Sequence, residues 1–391
     1  MPAANPGKIE KKAARIHKEV LTIDSHTDTP LRMMIKGFDI GVKHDPRRDF
    51  SKVDFPRMKE GGLDGAFFGA FVSQGPRNQQ GYEKVKKKIL TLFDTIDNTV
   101  LRYPGLAGLA VSPDDAYRLE KEGKRAVFIG IENGYAIGKD IDLISEYYRH
   151  GARYITLCHT RNNDICDSST DTVGFNGLSH FGKAVVAEMN RTGMMIDISH
   201  ASDKSFYDVL SITKAPVIAS HSCARALCNN PRNLSDEMLR ALAENGGVIQ
   251  MCILSDYVKA PEPNASRDSL LDALHHKYHD WDSATEEQIR NYRKERAEID
   301  AQFPVKLATV ADVADHIDHI VKIAGIDHVG IGTDFDGGGG VEGCFDASEM
   351  GNITLELVKR GYSKDQIRKI WGANLMRVMN EVAEISMRYD R

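Results

Sequence analysis

The chain lacks the roughly 18–20 consecutive apolar residues that a membrane-crossing helix needs. Its opening stretch, MPAANPGKIEKKAARIHKEV, lacks the apolar centre of an export signal. The expected compartment is therefore cytoplasmic, with export behind a signal absent from this sequence as the alternative. None of the six cysteines forms a C-x-x-C pair, which argues against a zinc ribbon or a thioredoxin-type centre. Cys158 and Cys252 lie inside apolar runs, where a free thiol packs as a small hydrophobe. Strong charge of one sign is also missing: a formal net charge of −5 over 391 residues argues against nucleic acid or an anionic membrane as partner. No internal repeat is visible. The glycine run Gly337–Gly340 is not followed by Lys-Ser or Lys-Thr, so it reads as a flexible loop and not a phosphate cradle.

What the chain does have is a set of short apolar runs that end on a metal-ligand type. Val20–Asp24 leads into Ser25-His26-Thr27-Asp28. Ala126–Ile131 stops at Glu132, Tyr154–Cys158 at His159, and Met194–Ser199 at His200. Pro216–Ser220 stops at His221, and Val329–Thr333 at Asp334. Each run is too short for a helix and reads as a buried parallel strand. With Gly65–Val72 and Gly247–Ile253 the strands number eight, and helical patterns alternate with them. The expected fold is a single α/β domain over residues 1–391, a (β/α)8 TIM-type barrel with its functional groups at the C-terminal strand ends. Leu106–Val111 competes as a ninth strand but is set aside, because only Ser112-Pro113, a helix start, follows it. Residues 260–304 break the alternation before the last strand. They form an expected helical insertion, read as a lid, an oligomer contact or a solvated excursion.

His26 and Asp28, two residues apart, point to one side of a strand end. Gly134 allows a tight turn after Glu132. With His200 and His221 they make five candidate ligands of zinc-binding type. Four would close one tetrahedral site; five, with Glu132 and a water bridging, suit two Zn2+ about 3.5 Å apart. Asp334 is positioned to take a proton from that water and return it to a leaving amine, with Asp336 as a nearby rival. His159 reads as a sixth ligand or, preferably, as a donor to the scissile carbonyl oxygen. His316 and His319, three residues apart on a predicted helix, read as surface residues, as do His275, His276 and His279.

The segments TIDSHTD, IGIENG, YITLCHT, IDISHAS, PVIASHSCARALCNNPRN, VADHIDHIVKIAG and HVGIGTDFDG occur in this order between Val20 and Gly337. In them the chain strongly resembles the membrane (renal) dipeptidase family of the amidohydrolase superfamily. The resemblance implies a zinc dipeptidase: His26 and Asp28 on one zinc, Glu132 bridging, His200 and His221 on the other. It implies that His159 contacts the substrate at the scissile bond, that Arg232 holds the substrate's C-terminal carboxylate, that Tyr257 lies near the substrate, and that Asp334 transfers the proton. A guanidinium suits a carboxylate by bidentate pairing. Broad dipeptide specificity, tolerance of a C-terminal D-residue and a homodimer are further implications. The chain departs from the family at Asn133, where glycine is usual, in the loop after His159, and in the insertion. Its polar EVAEISMRYDR end is expected to carry no lipid-anchor signal.

Overall fold

The computed structural model describes residues 6–278 and 286–389. Among the described residues nine strands occur in chain order: β1 (Ile23–Thr27), β2 (Gly65–Phe71), β3 (Ala107–Leu109), β4 (Arg125–Glu132), β5 (Ala152–Thr156), β6 (Met195–Asp197), β7 (Ile218–Ser222), β8 (Val248–Met251) and β9 (Val329–Ile331). Eight run parallel in the order β1-β2-β4-β5-β6-β7-β8-β9, with helices between them. The fold is a (β/α)8 barrel. The run set aside in the sequence does form a strand, but off the barrel path. β3 pairs with β4 from Arg125 to Val127, below the point where β5 joins at Ile129.

The barrel closes between β1 and β9 near its C-terminal mouth. Asp334 N donates to His26 O at 3.0 Å, and Asp28 N donates to Phe335 O at 2.8 Å. Beneath them the buried Asp24 carboxylate accepts from Thr333 N at 2.8 Å and Thr333 Oγ1 at 2.6 Å. The Ser25 hydroxyl donates to Ser220 O at 2.6 Å, tying β1 to β7. A second buried carboxylate, Asp197, accepts from Thr156 Oγ1 (2.5 Å), Ser199 N (3.0 Å), Ser220 N (2.8 Å) and Ser220 Oγ (2.6 Å). It joins β5, β6 and β7 where β6 and β7 share a single register pair, Asp197 with Ile218. Each Asp is fully buried, which is tolerable only because its oxygens are hydrogen-bonded.

Below this polar layer, Ile23, Phe67, Phe128, Tyr154, Met195 and Val248 share one apolar cluster with Leu375, Val378 and Met379 of the C-terminal helix Asn374–Tyr389. That helix therefore lies against the lower end of the barrel. Phe67 stacks on Phe128 with ring centroids 4.5 Å apart. Gly130 makes room for the Tyr154 ring, which a Cβ there would meet at 2.0 Å.

Several helices start on a capping side chain. Ser112, Ser235 and Thr309 each accept from the third residue of the helix that they start, and Thr309 with Asp312 forms a capping box. Between β8 and β9, residues 260–304 hold the helices Ala265–Lys277 and Glu286–Gln302. Lys277 and Tyr278 bond to Glu295, and Arg267 to Asp300, so the two helices are paired by exposed charge. His279 lies outside the described residues. Among the described residues no helix is long and apolar enough to cross a membrane. All six cysteines are free and buried.

Replacing Asp197 by Ala should strand four buried donors and cost about 3 kcal/mol or more. Urea unfolding reads this as a lower midpoint; an unchanged midpoint would show that the carboxylate is dispensable to the β5-β6-β7 join.

Candidate active site

The candidate residues reach the mouth by two local devices. The first is the β-bulge, which inserts one residue and re-aims a side chain. In β1 the register with β2 slips between Asp24 and Thr27, at Ser25-His26. In β7 the register with β8 slips between Ala219 and Ser222, at Ser220-His221. The second device is a positive φ just beyond a strand, directly after β4 and three residues after β6 and β9. Asn133 (81°), directly after Glu132, His200 (69°) and Asp334 (58°) all adopt it. Non-glycine residues rarely do so, and their neighbours hold them there. The His200 carbonyl accepts from Ser169 N at 2.8 Å, and Asp334 O accepts from Gly339 N at 2.7 Å. Two expectations change here. The turn after Glu132 is made by Asn133, while Gly134 is needed for close approach to Leu157 O, 2.7 Å from where a Cβ would sit. The stretch Gly337–Gly340 is a tight turn bonded to Asp334 O and Ile253 O, not a flexible loop.

Three overlapping groups result: His26, Asp28 and Asp334; His26, Glu132 and His221; Glu132, His159 and His200. Within each, the ligand atoms lie within 4.8 Å of one another. Glu132 turns one oxygen to each side. Its Oε2 is 3.5 Å from His26 Nε2, and its Oε1 is 3.1 Å from His200 Nε2 and 3.7 Å from His221 Nε2. His159 Nε2 lies 3.6 Å from the same Oε1. Among the described residues the buried His26 Nε2 and Asp28 Oδ1 have no hydrogen-bond partner. Buried polar atoms left that way are costly unless something else binds them.

The electrostatics favour a cation. Burial and the neighbouring Glu132 carboxylate push Asp28 well above its usual range, and burial with repulsion from Cys252 and Glu132 does the same to Asp334. Burial alone would lower His26, yet Glu132, Asp28 and Asp334 carry it up to about 10. A potential that holds a proton so firmly also attracts a divalent ion. Burial, with nearby positive groups, depresses His200 and His221 well below the normal imidazole value, so both are neutral and suited to bind metal.

Second-layer groups orient the rings, and sequence reasoning passed over them. His26 Nδ1 lies 2.8 Å from Tyr154 Oη, and that hydroxyl donates to Ser25 O at 3.2 Å. His221 Nδ1 lies 2.9 Å from Ser220 Oγ, which donates to Asp197. These bonds place a proton on each Nδ1, so that Nε2 is the nitrogen left to bind a metal when the ring is neutral; His221 Nε2 lies 2.9 Å from His200 Nε2. A signal existed: Asp24 and Asp197 stand inside apolar runs, where a carboxylate needs a dedicated partner. The rival Asp336 is occupied, accepting from Thr29 Oγ1 at 2.8 Å and Lys52 N at 2.7 Å.

Beside the cluster, Arg232 is buried (4% exposed) and donates to His221 O at 3.2 Å. Among the described residues its Nε has no hydrogen-bond partner and no carboxylate pairs with it. The guanidinium carbon lies 5.4 Å from the Tyr257 ring centroid. Burial keeps the Tyr257 phenol protonated, with its pKa raised to about 12.

Over residues 10–390 the chain matches the family model of the membrane dipeptidases, peptidase family M19. Among curated proteins it is 32% identical over 389 residues to the dipeptidase VerJ of Clonostachys rogersoniana, covering 96% of this chain and 88% of that one. It is 30% identical over 406 residues to the dipeptidase AtaJ of Aspergillus terreus, with the same coverage. Among solved structures, the probable dipeptidase PvdM from Pseudomonas aeruginosa superposes with a TM-score of 0.84 at 30% identity, covering 97% of this chain and 100% of that one. A metallo peptidase from Rhodobacter sphaeroides, solved with a phosphinate mimic of L-Ala-D-Ala, shares the fold with a TM-score of 0.72 at 22% identity, covering 93% and 99%.

Gly337 gives a direct test of the carboxylate pair. A Cβ there would sit 2.1 Å from Asp28 Oδ2 and 2.3 Å from Asp334 Oδ1. Gly337→Ala should push these groups apart and lower bound metal, read by elemental analysis, while the protein stays folded. Full metal content with full activity would contradict the close packing.

Proposed function

Since the chain belongs to the membrane dipeptidase family, and so is a metallodipeptidase, we propose that it uses two zinc ions to hydrolyse dipeptides of broad side-chain type. His26, Asp28 and Glu132 would hold one ion, and Glu132, His200 and His221 the other. The observation that carries this reading is Glu132, whose two oxygens face different sets of imidazoles. When bound, the zinc pair supplies Lewis-acid polarisation of the scissile carbonyl and lowers the pKa of a shared water.

The remaining work falls to side chains. Arg232 takes the substrate's free C-terminal carboxylate, for which its buried, unmatched guanidinium is suited. Tyr257 covers that guanidinium with its ring. His159 is neutral, since burial lowers its pKa more than Glu132 raises it, and it donates to the carbonyl oxygen as negative charge develops there. Asp334 accepts the proton of the attacking water and delivers it to the leaving amine. Burial and repulsion raise its proton affinity, which helps it carry that proton. A clamp one residue beyond the cut rejects longer peptides. A D-residue at that position belongs to the proposal, and the phosphinate mimic bound by the Rhodobacter sphaeroides neighbour is a reason to test it. On family grounds the proposed assembly is a homodimer.

A panel of L,L and L,D dipeptides, tripeptides and N-acetylated dipeptides tests the reading. Cleavage confined to free dipeptides is expected; cleavage of only the N-acetylated compounds would make the enzyme a deacylase. Asp334→Asn should retain zinc while turnover falls about 10²–10⁴-fold, and near-normal turnover would remove Asp334 from proton transfer. Arg232→Ala should raise the dipeptide KM by about ten- to hundredfold, the loss of a charged hydrogen bond, with zinc content unchanged. An unaltered KM would end the clamp assignment.

A further inference from the structure

The helix Val310–Ala324 carries His316 and His319, one turn apart. Both read from sequence as surface residues. His316 is instead 1% exposed. It receives a hydrogen bond at Nδ1 from Ala224 N, 3.1 Å away, and its Nε2 donates to Val258 O at 2.8 Å. These two bonds require one neutral tautomer, with the proton on Nε2. Burial lowers the ring's pKa, in keeping with that neutral form. His319 Nε2 lies 2.7 Å from Asp236 Oδ1.

The two partners of His316 belong to the two segments that build the proposed carboxylate clamp, and the partner of His319 adjoins one of them. Ala224 opens the loop that carries Arg232, and Asp236 lies just past its end. The loop is closed on itself by Leu234 N donating to Cys223 O at 2.9 Å and Arg225 N donating to Leu234 O at 2.8 Å. Val258 ends the short helix Ser255–Val258, which carries Tyr257. The two segments are also joined directly, since Asn233 Nδ2 donates to Cys228 O at 2.9 Å and Tyr257 O at 2.8 Å. His316 bonds to both segments and ties them to a helix packed on the barrel.

We propose that His316, supported by His319, is a positioning residue for substrate specificity: it sets the Arg232 loop against the Tyr257 helix and so fixes where the substrate carboxylate sits. The proposal rests on Arg232 being the clamp. Among the described residues His316 makes no hydrogen bond to a candidate metal ligand. Its loss should therefore appear in substrate binding and in discrimination between a dipeptide and its C-terminal amide, which lacks the negative charge.

Four variants of the zinc-loaded enzyme test this. His316→Phe removes both bonds. His316→Gln can keep the bond to Val258 O, and His316→Asn the bond from Ala224 N, so one of them remains interpretable should Phe fail to fold. Arg232→Lys reports on the clamp itself. The expected result is a rise in dipeptide KM of about tenfold for folded His316 variants. kcat should stay within about twofold and zinc unchanged, and the preference for dipeptide over dipeptide amide should fall. Arg232→Lys should lose the same preference. If Arg232→Lys loses it and every folded His316 variant keeps wild-type KM and preference, the role of His316 is overturned while the clamp stands. A fall in kcat and zinc at constant KM would overturn it too, by making His316 merely structural. If Arg232→Lys itself keeps the preference, the clamp reading fails and this proposal with it.

Discussion

Closure of the barrel between β1 and β9 is the constraint on which the rest depends. Its hydrogen bonds are made by the backbones of His26, Asp28 and Asp334, the residues whose side chains enter the candidate site. Closing the sheet and assembling the site are thus one event. The Asp24 carboxylate reinforces the seam from below through Thr333. A barrel left open here would separate Asp334 from His26 and Asp28 and dissolve one of the three ligand groups.

The concentration of carboxylates follows from this closure. Asp28, Glu132 and Asp334 are buried close together, an arrangement that repels itself in a low-dielectric interior. The fold tolerates it because the layer below is extensively hydrogen-bonded. Tyr154 and Ser220 orient the imidazoles of His26 and His221, and Asp197 anchors Ser220. The aromatic packing of Phe67, Phe128 and Tyr154 then supports that layer from the barrel interior. Strain at His200 and Asp334 is held by ordinary backbone hydrogen bonds from neighbouring loops.

Much of this was legible in the sequence. Short apolar runs ending on ligand types gave the barrel and the candidate site together, because a parallel strand buried on both faces leaves a continuous apolar signature. Strand limits were less readable. The sequence reading ended the first strand at Asp24, while β1 runs on through Thr27, since a polar His26 inside a strand interrupts the apolar pattern. Bulges and positive φ values leave almost no mark on composition, so simple alternation was read at His26, where the register in fact slips, and the aiming of His200 and His221 was not visible. His316 was misread because a histidine on an amphipathic helix suggests solvent. Yet it falls three residues after Val313 and four before Ile320, on the buried face. Its partners, Ala224 and Val258, are distant in sequence and contribute only backbone atoms, which no residue pattern records.

The most direct test of the account is a zinc titration of metal-stripped protein, with bound metal and dipeptide hydrolysis followed together. A shared Glu132 predicts two zinc ions per chain, with full activity reached only on the second, and a Glu132→Gln protein that fails to reach that stoichiometry. Full activity at one equivalent, or two ions bound as tightly without the Glu132 carboxylate, would contradict it.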